Sequence, residues 1–78
     1  MRYFFHVKNG DNFPDYLGTE LSGDAMAYEM AVRSSGEAIR DMGAKFWEGD
    51  GWHLLVVDEN EREVLTLSFQ GQSKGNPF

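Results

Sequence analysis

The chain contains no cysteine, which removes disulfide cross-links, thiolate metal sites and a cysteine nucleophile together. A domain this short usually leans on such a staple, so its stability has to come from packing, helped by a partner chain where packing falls short. Positive charge is also scarce: seven Lys and Arg face thirteen Asp and Glu, leaving a net charge of −6. Nucleic acid and anionic lipid would be repelled unless those few cations clustered, and they are scattered along the chain. Long apolar runs are missing too. The opening RYFFHVK is broken by His6 and Lys8, too short for a signal peptide and far too short to span a bilayer. The expectation is a cytoplasmic protein with no membrane and no nucleic-acid partner, and 78 residues leave room for one core only.

What the chain does have is aromatic bulk. Six Phe, three Tyr and two Trp argue for a packed globule over an acidic disordered tail. Arg2 to Lys8 alternates Tyr3, Phe5 and Val7 with Phe4, His6 and Lys8, the period of a strand. Asn9 to Asn12 can reverse the chain, and a short strand from Phe13 to Leu17 can return beside the first, at an edge because Pro14 lacks a ladder donor. A helix is expected from Asp24 to Met42, with Ser22 or Gly23 near its cap and Gly43 as its stop. Its 3.6-residue winding lines up Ala27, Ala31, Ser35 and Ala38, flanked by Tyr28, Val32, Ile39 and Met42. Small residues in that stripe let the helix lie close to a sheet. Two β runs follow, Trp52 to Asp58 and Glu63 to Phe69, joined by a turn at Glu59 to Arg62.

The expected fold class is therefore α+β: a two-layer sandwich of one four-stranded antiparallel sheet in ββαββ order with one helix on one face. Residues 1–69 form a single domain, and 70–78 a loose polar tail. The helix should cover Tyr3, Phe5, Leu54, Val56, Leu65 and Leu67.

RYFFHV at the start, GTEL at Gly18 to Leu21, VRSSGEAIRD at Val32 to Asp41 and the W-x-L-x-V-x-D pattern at Trp52 to Asp58 occur together and in this order. In that succession the chain resembles a family of short bacterial proteins known only as a domain of unknown function, with an RYFFHV opening. The resemblance implies a small single-domain cytoplasmic protein in ββαββ order and implies no activity. Gly23 and Asp24 depart from the acidic-then-apolar pair expected at the helix start.

No catalytic constellation emerges from the residues. His6 and His53 fall on the same expected sheet face, but two imidazoles without a third ligand at fixed spacing do not make a metal site. Asn9, Asp11 and Glu20 sit at positions one, three and twelve of a calcium loop, yet Phe13 and Pro14 occupy positions that need an oxygen ligand and a Gly. Asp11, Asn12 and Asp15 read better as turn formers. Gly49-Asp50-Gly51 does not open a helix after a strand, as a phosphate cradle must. Ser34 and Ser35 lack a base, and Glu59, Glu61 and Glu63 lie at an exposed turn. Cofactors, metals and catalytic residues are all expected to be none.

One surface stands out. Phe4, His6, His53, Leu55, Val57 and Val64 are expected on the sheet face away from the helix, an apolar centre with a more polar border. A water-facing sheet surface should read as polar at alternate positions, and contiguous apolar patches mark interaction sites. The functional expectation is a non-enzymatic interaction or structural domain that forms a homodimer through this face, with another protein as a further possible partner. The alternative is a small-ligand or regulatory binding module around Phe4, His6 and His53. The competing cover for the patch is the 43–51 loop of the same chain, with Phe46 and Trp47.

Overall fold

The computed structural model describes residues 1–75. In chain order the elements are strands β1 (Arg2–Asn9), β2 (Asp11–Phe13) and β3 (Thr19–Glu20), helix α1 (Asp24–Met42), a 3₁₀ segment (Gly43–Glu48), and strands β4 (Trp52–Asp58) and β5 (Glu63–Phe69). All pairings are antiparallel and give the order β2-β1-β4-β5, with β3 also paired to β1. The α+β class with one helix on an antiparallel sheet holds. The number of strands does not: the sheet has five.

The difference lies between residues 10 and 20. The strand expected over Phe13 to Leu17 is replaced by two shorter ones, β2 pairing the end of β1 at Val7 to Asn9 and β3 pairing its start at Arg2 and Tyr3. The reason is local. Pro14 carries no N–H, and beyond it the Asp15 carboxylate takes the Phe5 N–H that a continuing strand would have met with a carbonyl. Gly18 then lets the chain turn back at φ 72°, and a Cβ there would lie 2.8 Å from both Arg2 Cγ and Phe4 Cε1. Only glycine permits both the angle and the approach.

Helix α1 begins and ends where the sequence predicts. Gly23 caps it without a side-chain bond, while Gly43, at φ 56°, ends it by donating its N–H to the Ile39 carbonyl. Ala27, Ala31 and Ser35 form its buried stripe, and the two alanines form one core cluster with Tyr3, Trp52, Leu54 and Val56 of the sheet. The flank differs from expectation: Ile39 and Met42 pack against the core, but Tyr28 and Val32 remain 54% and 65% exposed. They hang beside the sheet instead of over its middle.

The 43–51 loop does not cover the open face. Phe46 packs against the core cluster, and Phe46 and Trp47 crowd Gly71, past the end of β5. Residues 70–75 form no helix or strand, and the expected tail of 70–78 falls partly outside the described residues.

At the opposite end of the sheet, four segments are tied by charge. Asp58, almost completely buried, accepts the N–H groups of Asn60 and Arg62 at 2.8 and 3.0 Å and so closes the β4–β5 turn. Arg62 bridges Asp58 to Asp24 at the start of α1, and the Tyr3 hydroxyl donates to Asp24 at 2.7 Å. The Arg62 backbone donor, followed by those of Asn60 and the Arg62 side chain, holds the Asp58 carboxyl below its ordinary range against the opposing effect of burial. Tyr3 and Arg62 do the same for Asp24. In return the hydrogen bond to Asp24, with burial, pushes the Tyr3 phenol up to about 12.

Candidate interaction surface

Strand alternation sends Tyr3, Phe5, Leu54 and Val56 toward the helix and their neighbours to the other side. The register then places Phe4 opposite Val57, His6 opposite Leu55 and Lys8 opposite His53 across β1 and β4. On β5, Thr66 faces Leu55 and Ser68 faces His53. Phe4 and His6 stack with ring centroids 6.5 Å apart and planes 8° from parallel. Five of the six residues expected on this surface are thus brought together.

Val64 is not among them. The register slips between Val56 and Val57, so Val56 pairs with Leu65 while Val57 pairs with Glu63. One extra residue stands in β5 at that bulge. It is Val64, and it packs against the core. The bulge leaves Glu63, a charge, where the alternation of β5 pointed to a valine.

The face is not flat. His6, His53, Leu55 and Thr66 form the floor of a groove of about 580 Å³, and Phe13 and Pro14 stand along its rim. His6 accepts the Asp15 N–H on Nδ1 at 3.0 Å, which leaves the ring proton of the neutral form on Nε2. His53 Nδ1 lies 3.0 Å from Ser68 Oγ. Among the described residues no group of three His, Cys, Asp or Glu side chains converges as a metal site, and no helix is long and apolar enough to cross a membrane.

Beside the groove, Asp15 organises the loop that stands where the sequence predicts a strand. One carboxylate oxygen accepts Leu17 N–H and Gly18 N–H at 3.0 and 2.9 Å, and the other accepts Phe5 N–H at 3.1 Å. Burial opposes the charge on Asp15, but the donors of Gly18, Phe5 and Leu17 outweigh it, with His6 adding to them, and the pKa falls. Arg2 fixes the far end by donating to the Leu17 carbonyl at 2.7 Å. The loop is held at both ends. What it holds up is apolar: Phe13 is 55% exposed, and Tyr16 and Leu17 are each 84% exposed.

The family model that matches this chain is a domain of unknown function, DUF6894, over residues 2–70. The chain belongs to this family. No curated protein and no solved structure matches. The DUF6894 match runs from the first residue of β1 to just past the end of β5, so it takes in the sheet, the helix and the Asp15 loop as one unit. It assigns no activity, and no function is established by it.

The Asp15 loop is the part of this surface that the sequence concealed. Asp15 read correctly as a turn former, and the Pro14-Asp15 step was the available signal. That Tyr16 and Leu17 would be lifted into solvent was not visible, because Tyr and Leu in a short run between turns read as buried strand residues.

Proposed function

We propose that this domain is a non-enzymatic protein-interaction module whose working surface is the Asp15 loop together with the adjoining groove on the open sheet face. The observation that carries this reading is the exposure of Phe13, at the end of β2, and of Tyr16 and Leu17 on the loop after it, which is pinned by one carboxylate and one guanidinium. Scattered apolar residues on a surface need no explanation, whereas three within five positions, on a fixed backbone, form a patch. Tyr is enriched among residues that dominate binding energy, and a rigid presentation lowers the ordering cost of binding. Leu55 and the two imidazoles of the groove extend the same surface. Cytoplasmic location belongs to this proposal as well.

Site-specific photo-crosslinking in cells tests the reading. A photoreactive residue in place of Tyr16 should give discrete protein adducts, while the same residue in place of Glu37, on the solvent side of α1, should not. Equal labelling at both positions would remove the loop from consideration. Among those adducts a second copy of this chain would point to self-association through the open face, which an aspartate in place of Leu55 should then abolish.

A second reading has its own support, since the groove has the volume and the mixed apolar and imidazole lining of a small-ligand site. A thermal-shift screen with metabolites addresses it. A ligand that raises the melting temperature of the native chain, and does not do so for His53→Gln, would favour this alternative.

A further inference from the structure

The two outer edges of the sheet are finished differently. β1 is paired by β2 at one end and β3 at the other, and between them Asp15 occupies the Phe5 N–H. The other side is more open. β5 ends the sheet, and among the described residues no strand pairs with its outer edge.

Natural proteins blunt such edges with short strands, with Lys or Pro, or with a covering element. β5 has seven residues, as many as its neighbour β4, and its sequence EVLTLSF contains neither Lys nor Pro. Its bulge is confined to the Glu63 end. Above the edge, α1 adds apolar surface instead of closing it off. The Tyr28 hydroxyl donates to the Val64 carbonyl at 3.2 Å, which places this flank of the helix over β5. Val32 lies one turn further along the same flank. These are the two residues left 54% and 65% exposed.

We propose that a second copy of this chain pairs antiparallel with β5 about a twofold axis at Thr66, joining the two sheets and burying Tyr28 and Val32 of both copies over the seam. The strand is complementary to itself in this register. Leu65 meets Leu67 of the second copy on the helix side, and Thr66 meets its own counterpart on the open side. The single charge on the strand, Glu63, lies three residues from the axis and beyond the bulge, so its two copies sit at opposite ends of the seam and form no like-charge pair. A strand ladder alone buries less than the roughly 800 Å² per partner of a stable interface, and the paired helix flanks add the exposed apolar surface of Tyr28 and Val32 to it. Self-complementarity of one patch is what a twofold interface requires. This pairing uses neither the Asp15 loop nor the groove, so it stands or falls separately from the function proposed above. If both hold, the dimer presents two loops from one continuous sheet.

Because the native chain has no cysteine, one engineered thiol reports cleanly. The expected results are a mass in light scattering of twice the 8.9 kDa chain, a disulfide-linked dimer from Thr66→Cys under mild oxidation, and a folded monomer from Val32→Asp. A wild-type monomer that persists to millimolar concentration overturns the proposal. So does a dimer that survives Val32→Asp and is not trapped by Thr66→Cys but dissociates on Leu55→Asp, which would locate the contact on the open face. If Val32→Asp fails to fold, the Thr66→Cys result decides alone, with Glu37→Cys as the control that should not cross-link.

Discussion

The two faces of the sheet come from the same strands and differ in almost every physical respect. Along β4 the alternation is strict: Trp52, Leu54, Val56 and Asp58 are buried, while His53, Leu55 and Val57 are only half covered. One set is sealed by a helix whose stripe of Ala27, Ala31 and Ser35 lets the layers approach closely. Among the described residues the other is roofed only at its Phe4 end, by a loop that Arg2 and Asp15 hold in place. The comparison shows how a short chain divides its apolar residues. Those on the helix side supply the packing that a domain without cross-links needs, and those on the loop and open face stay wholly or partly exposed.

The sharpest way to break the contrast is to truncate adjacent leucines. Leu54→Ala should cost about 2 to 5 kcal/mol, the usual range for a buried leucine, and in a domain of this size that approaches the whole stability. Leu55→Ala, one residue away on the open face, should cost under about 1 kcal/mol. Urea denaturation of the two variants measures both, and equal losses would mean that the open face is covered in the native state.

Overpacking comes next. Ala31 is 1% exposed in the helix–sheet contact, so Ala31→Phe should lose about 1 to 3 kcal/mol. Glu37→Phe, on the solvent side of the helix, should be close to neutral. Chemical denaturation midpoints that shift equally for both would contradict the helix orientation.

Ser35 offers a smaller effect of opposite sign. Its hydroxyl is fully buried and has no hydrogen-bond partner among the described residues. Ser35→Ala removes an unsatisfied polar group and installs the best helix former, so it should stabilise the fold by about 1 kcal/mol. A melting temperature that falls would show that the hydroxyl is satisfied in solution.

The last effect appears only in acid and belongs to the carboxylates. Asp15, Asp24 and Asp58 are all held below the ordinary value of 3.8 in the folded chain. The unfolded chain therefore binds more protons as the solution is acidified. Their contribution is complete above about pH 4 and is lost as pH falls through the depressed folded values. Tyr3 runs the other way, its contribution being complete below 10.0 and lost as pH rises through about 12. Asp58→Asn should flatten the acid limb of a stability–pH curve measured by denaturation, and an unchanged limb would remove Asp58 from the account.

The sequence by itself determined the elements whose signals are local and repetitive. α1 runs from Asp24 to Met42 because a 3.6-residue stripe of small residues ends at a glycine able to take a positive φ. β1, β4 and β5 follow from two-residue alternation, which also separated Leu54 from Leu55 and put His6 and His53 on one face. Tertiary structure decided what depends on contacts between distant segments. The strand expected at Phe13 to Leu17 became two because Asp15 reached across to Phe5. Val64 left the open face because a single register slip turns a side chain to the other side of a sheet. The Tyr3, Asp24, Arg62 and Asp58 network joins residues from β1, α1, the β4–β5 turn and β4, and no spacing in the chain announces it. Periodicity records which way a residue faces along its own element. It holds no information about which distant side chain will arrive to bind a freed backbone group, and in this protein that is what shaped the exposed loop.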